Sequence, residues 1–213
     1  MQTEKKPQPR WTRRKDARPG ELLEAALDLF VERGFAATRL EDVARRAGVS
    51  KGTLYLYFSG KEELFKAVVR ENLLPKLLAA EDTLKNKVAD SIDQFRYLIQ
   101  TWWDQIGNTR LAGLSRLVLL ESAHFPELAE FYHKEFIARG MDMFERVLRR
   151  GIERGEIRKV DAHHITQVIM APLMMLMMWK HSFGATKIEP ISPERYLDSM
   201  LDLCMNGLVD QKT

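Results

Sequence analysis

Apolar residues recur at intervals of three and four along most of the chain, a spacing typical of amphipathic α-helices. No segment has the strict alternation of a half-buried strand, so the pattern predicts an all-α fold. Gly34 ends the first predicted helix, and Pro75 predicts a break near Leu74 inside a longer one. The predicted helices cover residues 21–33, 39–47, 51–58, 61–84, 88–106, 110–122, 126–153, 161–183 and 193–209.

A tight turn between two short helices is predicted around residue 48. Gly48 suits the left-handed conformation that closes a helix, and Ser50 suits the cap of the next one. Thr38 and Glu41 have the spacing of a capping box, in which the threonine oxygen accepts from the third backbone amide. The pattern predicts a helix-turn-helix whose first helix is capped by Thr38.

The helix after this turn has one apolar side and one side of mixed chemistry. Leu54 and Phe58 form an i,i+4 row that we expect to pack inward. Gly52 and Leu56 fall on the opposite side, where a poor helix former such as glycine indicates close approach of another molecule. The flanking residues are Lys51, Thr53, Tyr55 and Tyr57. Such a face suits the major groove of DNA, and a solvated helix with half-buried tyrosines is the alternative.

Residues 22–68 resemble the N-terminal domain of the TetR-type bacterial transcriptional regulators; they read LLEAALDLFVERGFAATRLEDVARRAGVSKGTLYLYFSGKEELFKAV. The resemblance implies that this segment binds operator DNA. It implies phosphate contacts for Thr38, Arg39, Tyr57 and Lys61, and base contacts for Lys51, Gly52, Thr53 and Tyr55, with Ser50 beside them. Leu56 departs from the polar or aromatic residue common in the family, and we interpret it as a contact to a thymine methyl group.

Positive charge is concentrated at the N-terminus. Residues 1–20 contain seven basic and two acidic side chains, a net of +5, whereas the whole chain carries +3. We expect residues 1–18 to form a flexible basic arm, which either contacts a polyanion or only improves solubility. The predicted organisation is this arm, a helix-turn-helix DNA-binding domain at 19–61 and a helical ligand-binding and dimerisation domain at 62–213.

The second predicted domain contains apolar groups that suit either a ligand pocket or a filled core. Two adjacent tryptophans lie at helical spacing with other apolar residues, and a methionine-rich segment covers residues 168–183. The candidate lining residues of a pocket are Phe95, Ile99, Trp102, Trp103, Met174 and Met178, with Arg116, His124 and Tyr132 as polar candidates.

Pairing of two chains is expected because a single recognition helix reads only a few base pairs. A two-fold dimer presents two such helices to a palindromic site. By resemblance, the last two predicted helices form the pairing surface. Its predicted apolar stripe consists of Leu197, Met200, Leu201, Cys204, Met205 and Leu208.

Other classes of protein receive little support from the sequence. His163 and His164 are adjacent and so do not form the i,i+4 pair of a metal site. We find no phosphate-cradling glycine loop or nucleophile elbow, and we predict no catalytic residues, metal or cofactor. The longest apolar run, residues 168–179, is shorter than the roughly 20 residues of a membrane span. Without a secretory signal pattern, a cytoplasmic location is expected.

These features, together with the resemblance, predict a ligand-responsive transcriptional regulator, a repressor that binds a palindromic operator as a homodimer. A small, largely apolar effector would release it. The alternative is a DNA-binding regulator without a small-molecule ligand, whose second domain serves only for dimerisation or partner binding. An open apolar cavity favours the first reading, and a filled core favours the second.

Overall fold

Helices make up the regular structure of the protein in a computed structural model, which describes residues 19–86, 89–183 and 191–208. The helices are α1 (Pro19–Ala37), α2 (Leu40–Arg46), α3 (Lys51–Tyr55), α4 (Lys61–Asn72), α5 (Leu74–Asn86), α6 (Ser91–Trp102), α7 (Ala112–Glu121), α8 (Pro126–Tyr132), α9 (Ala138–Glu153), α10 (Ala162–Phe183) and α11 (Pro193–Leu208). Single π-helical turns, Trp103–Gly107 and His133–Ile137, follow α6 and α8. No strand occurs within the described ranges, and the all-α class is confirmed.

The N-terminal core forms where α1 packs against α4. Phe30 and Phe35 on α1 stack with their ring centroids 5.7 Å apart, and Phe65 on α4 meets them edge-on at 5.5 and 5.8 Å. Leu54 and Phe58 are buried in the same cluster, which confirms the predicted inward row. This core continues past residue 61 into α4. The division of the chain into domains at that residue stays a prediction.

The turn between α2 and α3 has the predicted geometry. Gly48 takes a positive φ of 70°, and the Ser50 hydroxyl accepts a hydrogen bond of 3.1 Å from the amide of Thr53. The capping box predicted at the start of α2 is wrong, because Arg39 is the N-cap and makes no side-chain cap bond. The hydroxyl of Thr38 instead donates to the carbonyls of Leu29 (3.1 Å) and Gly34 (2.7 Å) on α1.

A break separates α4 from α5, as the position of Pro75 predicts. Helix α4 ends at Asn72 and α5 begins at Leu74, because proline lacks the amide hydrogen that would continue the α4 ladder. The side chain of Asn72 donates to the carbonyl of Val68 at 2.9 Å. The two helices therefore meet at a bend directly beyond the predicted DNA-binding segment.

The helices from α6 to α11 pack on one another through apolar as well as polar contacts. Phe95 on α6 meets Phe144 on α9 at 6.0 Å between ring centroids. The hydroxyl of Tyr196 on α11 donates to the carbonyl of Pro172 in the middle of α10 at 3.2 Å. This bond links α11 to α10, and apolar residues of both helices pack in the same core. The predicted basic arm at residues 1–18 lies outside the described residues.

Candidate DNA interface, ligand cavity and pairing surface

The outward face of α3 is open, as the helical wheel predicts. Leu56, the residue after α3, is 83% exposed, and Gly52, Tyr55 and Tyr57 are also exposed. Thr53 is half-buried, and its hydroxyl lies 2.8 Å from the hydroxyl of Ser50. The face therefore presents an aliphatic side chain and two phenols beside a glycine that adds no bulk.

Lys51 is held in position at the start of this face. Its ammonium forms an ion pair with Glu41 of α2 and lies 5.7 Å from the centre of the Tyr55 ring. The hydrogen bond between them raises the pKa of Lys51 and lowers the pKa of Glu41. Lys51 therefore stays cationic, and a DNA phosphate or base edge that binds it competes with the carboxylate of Glu41.

Two of the residues expected to hold phosphates are turned inward instead. Thr38 is buried, with its hydroxyl bonded to α1, so a phosphate contact through its side chain is not supported. The ammonium of Lys61 donates to the carbonyls of Phe35 at 2.7 Å and Ala36 at 3.1 Å, and burial lowers the pKa of Lys61. Arg39 and Tyr57 are exposed and keep their expected role as predictions.

An apolar cavity of about 280 Å³ lies among the helices from α5 to α10. Of its described lining residues, only Lys76 carries a charge, and the Lys76 ammonium donates to the side-chain oxygen of Gln105 at 3.1 Å. Two buried hydroxyls, those of Ser115 on α7 and Tyr132 on α8, lie 2.7 Å apart at the cavity wall. Burial raises the pKa of Tyr132, so this phenol keeps its proton.

Three of the predicted lining residues border this cavity: Trp102, Tyr132 and Met174. The predictions for the other six are not supported by their positions. Phe95, Ile99 and Trp103 are buried in the core, His124 is exposed, Met178 packs against the core, and Arg116 donates to the carbonyls of Val31 (3.4 Å) and His181 (3.3 Å).

Sequence reasoning missed much of the cavity wall. Phe136, Met141, Met143 and Phe144 border the cavity from the segment that leads into and forms α9. Ser115 was also missed, since a small polar residue in an apolar helix gives no signal of its own. The pattern of α9, with apolar residues recurring along one side, is the signal that would have indicated a helix facing the interior.

Helix α7, which carries Ser115, lies along α1. Just before α7, Arg110 forms ion pairs with Glu24 and Asp28 of α1. Gly113 faces Val31 so closely that an added Cβ would come within 2.6 Å of a Val31 methyl carbon. A larger residue at position 113 would push the two helices apart. Helix α7, which forms part of the cavity wall, is thus in direct contact with α1, the first helix of the predicted DNA-binding domain.

Hydrogen bonds from Glu121 at the end of α7 and from Lys61 at the start of α4 hold the end of α1, and we call this set of bonds the α1 clamp. The Glu121 carboxylate accepts from the amides of Phe35 (2.8 Å) and Ala36 (2.9 Å), while Lys61 donates to the carbonyls of the same two residues. Gly34 has a positive φ of 81°, and a side chain there would collide with Glu121. Glu121 is the last residue of α7, where the helix dipole makes a carboxylate unfavourable. The two hydrogen bonds that it accepts from the amides of α1 offset this cost.

The predicted dimer stripe requires correction. Leu197, Met200, Met205 and Leu208 are buried within the chain itself, and Leu201 and Cys204 are half-buried and pack against the same core. These six residues face inward, so the apolar periodicity of α11 reflects packing in the core of the protomer. Large apolar residues are instead exposed at other positions of the same two helices, and the three most exposed are Leu203 (74%), Val168 (63%) and Met175 (58%).

In the described part of the chain, none of the groups of histidine, cysteine, aspartate and glutamate has the arrangement needed to bind a metal ion. None of the described helices combines the length and apolar character that crossing a bilayer requires.

Two regions of the chain match known protein families. Residues 22–68 match the family described as bacterial regulatory proteins, tetR family, and residues 92–191 match a tetracyclin repressor-like C-terminal domain. The chain belongs to the TetR family. The first match begins in α1 and ends in α4, and the second begins in α6 and ends just before α11. TetR-family proteins are helix-turn-helix transcriptional regulators that bind DNA as dimers.

Individual TetR-family relatives are similar over most of their length. The uncharacterized HTH-type transcriptional regulator YfiR of Bacillus subtilis is 30% identical over 148 residues, which is 69% of this chain and 71% of YfiR. The transcriptional repressor KstR2 of Mycobacterium tuberculosis is 25% identical over 200 residues, covering 92% and 95% of the two chains. The crystal structure of B. subtilis FadR in complex with stearoyl-CoA has a TM-score of 0.76 at 22% identity, over 89% of this chain and 99% of FadR.

Proposed function

We propose that this TetR-family protein is a ligand-responsive repressor, which binds a palindromic operator as a homodimer and leaves it when a small, largely apolar molecule enters the cavity. The observation that carries the proposal is the role of α7 in both sites. Ser115 on α7 borders the cavity, and Glu121 on the same helix holds the end of α1. A ligand that fits one position of α7 better than another shifts the population of DNA-competent chains.

The cavity favours this function over a regulator without a ligand. A second domain used only for dimerisation needs no internal space, and protein interiors are normally packed without voids much larger than a water molecule. A cavity of about 280 Å³ with an aromatic, methionine-rich lining has the character of a small-molecule site. The names of two relatives agree, since one is a repressor and the other binds stearoyl-CoA, a molecule with a long apolar chain.

Contacts to DNA are assigned to residues on the outward face of the helix-turn-helix. Gly52, Thr53 and Tyr55 meet base edges, and Leu56 meets a thymine methyl group. Lys51 exchanges its ion pair with Glu41 for a contact to DNA. Ser50 caps α3, and Arg39 and Tyr57 contact phosphates that fix the position of the helix. Binding to operator DNA implies that the protein acts in the cytoplasm.

The pairing surface is assigned to the exposed apolar residues of α10 and α11. Val168, Ala171 and Met175 are exposed at i, i+3 and i+7 of α10, which makes one stripe. Leu203 is exposed on α11, which packs on α10. Burial of this surface against a second copy covers large apolar side chains that the single chain leaves in water, and it holds two copies of α3 at a fixed separation.

Selection of bound sequences from random DNA, at a stated salt concentration, tests the function. An enriched inverted repeat is the expected result, because two copies of α3 read two half-sites. Titration of apolar compounds into the preformed complex then tests the response. Binding in the cavity is followed by the fluorescence of Trp102, with a Trp102→Phe variant as the control for the other tryptophans. If no compound that binds in the cavity releases the protein from its operator, the proposed mechanism is contradicted.

A further inference from the structure

The two hydroxyls at the cavity wall have one hydrogen more than they use. Ser115 and Tyr132 each carry one O–H group, and the bond of 2.7 Å between them uses only one of the two hydrogens. Within the described part of the chain, neither oxygen has a second hydrogen-bond partner. Whichever residue donates to the other, one buried O–H is left without an acceptor.

This unused donor borders the cavity. Both residues are buried, at 5% and 1% exposure, and both contribute to the cavity lining. Burial raises the pKa of Tyr132, so loss of the phenol proton does not remove the surplus hydrogen at ordinary pH. A buried donor without an acceptor is unfavourable, and such groups are normally paired with a protein group, water or ligand.

The surroundings of the hydroxyl pair restrict what the acceptor can be. The other described lining residues are almost all apolar, and the one charged side chain among them is Lys76 on α5, which donates one of its three ammonium hydrogens to Gln105. A carboxylate placed at the hydroxyl pair would lose its hydration for a single strong donor, which is costly in apolar surroundings. A carbonyl oxygen requires only the one hydrogen that is free.

We propose that the cavity takes a largely apolar molecule with an uncharged carbonyl group, a ketone, ester or thioester, whose oxygen accepts from the Ser115 and Tyr132 hydroxyl pair. The inference rests on the proposed function, because it names the chemical class of the ligand that the cavity of this regulator binds. The apolar body of the ligand fills the space lined by residues such as Trp102, Phe136 and Met174. The hydroxyl pair fixes its orientation.

A matched pair of probes tests the carbonyl requirement without knowledge of the natural ligand. Benzophenone and diphenylmethane have nearly the same shape, and only the first has a carbonyl oxygen. Their dissociation constants for the full-length wild-type protein are measured by isothermal titration calorimetry. We expect benzophenone to bind about tenfold more tightly, since one buried hydrogen bond is gained. In the double variant Ser115→Ala/Tyr132→Phe, the two probes are expected to bind within about twofold of each other.

The double variant is chosen because it removes both hydroxyls together and leaves no orphaned partner. Thermal unfolding of the variant confirms that it is folded at the temperature of the titration. Equal binding of the two probes to the wild-type protein would overturn the inference, as would a benzophenone preference that survives in the double variant. Failure of both probes to bind the wild-type protein would overturn it too. Operator binding is measured separately on the wild-type protein, so loss of the inference and loss of the proposed function are distinguishable.

Discussion

The α1 clamp gives the sharpest prediction for how the cavity communicates with DNA. Glu121 accepts from the amides of Phe35 and Ala36 with its two carboxylate oxygens, at 2.8 and 2.9 Å. Glutamine at position 121 has one oxygen and one NH2 group, so one of the two amides would face a donor. The substitution Glu121→Gln therefore removes one charge-assisted bond and makes the other neutral.

The size of the effect follows from the exposure of the two amides. A hydrogen bond to a charged group contributes about 1.5 to 3 kcal/mol, and the amide of Ala36 is reached by water after the change. We expect Glu121→Gln to lower the free energy of unfolding by about 2 kcal/mol. For a chain of this size that corresponds to a decrease of about 4 to 8 °C in Tm. The matched control Glu130→Gln removes the same charge from an exposed position on α8 and is expected to change Tm by about 1 °C or less.

The functional readout is the ratio of operator affinities without and with a ligand in the cavity. In Glu121→Gln this ratio is expected to move toward one, because α7 holds the end of α1 more weakly and a shift of α7 is transmitted less completely to α1. Fluorescence anisotropy with labelled operator measures both affinities, at a temperature where the variant is folded. An unchanged Tm together with an unchanged ratio would refute the role of the clamp.

Three further predictions concern the DNA face, the pairing surface and the cavity. Leu56→Ala is expected to lose about 1 kcal/mol of preference for thymine over uracil at one operator position, and identical preferences in the variant and the wild type would end the assignment. Leu203→Glu is expected to raise the Kd of the dimer at least a hundredfold, or about 3 kcal/mol from two copies, as measured by sedimentation; the control Leu78→Glu changes an exposed leucine on α5 and leaves the dimer intact. Burial raises the pKa of Tyr132, so above pH 10 the unfolded chain loses this proton before the folded chain does, and stability falls as the pH rises. Urea unfolding is expected to show that raising the pH from about 10 to about 11 lowers the stability of the wild type by about 1 kcal/mol more than that of Tyr132→Phe, because the unfolded tyrosine is already half ionised at about pH 10. Equal losses in the two proteins would contradict the burial argument.

Local rules predicted the helix-turn-helix well. The positive φ of Gly48 and the cap at Ser50 depend on residues within a few positions of each other, so the sequence contains the whole signal. Thr38 obeys the same local rule but was assigned wrongly, because its hydroxyl finds carbonyls nine and four residues earlier on α1. A tertiary contact competes there with the cap, and the sequence alone does not decide between them.

Predictions of sites between helices were less successful for a related reason. The periodicity of α11 identified an apolar stripe correctly but did not say whether the stripe faces the protomer or a second copy, and Leu197 and Met200 face the protomer. Trp102 and Trp103 are adjacent, yet only Trp102 borders the cavity. Which of two neighbouring side chains meets empty space depends on how several helices pack, and no spacing rule contains that information.

The contact between α7 and α1 also limits how this protein can be recombined with its relatives. The simplest chimera would join the DNA-binding segment of this chain to the second domain of a relative by a cut between the two. Such a cut would separate Gly113 and Glu121 from α1, the helix that they contact. A foreign α7 would then face Val31 and Gly34 with side chains that do not match the surface of this α1. A working chimera therefore needs α1 and α7 from the same parent, although the two helices are separated by about 75 residues of sequence.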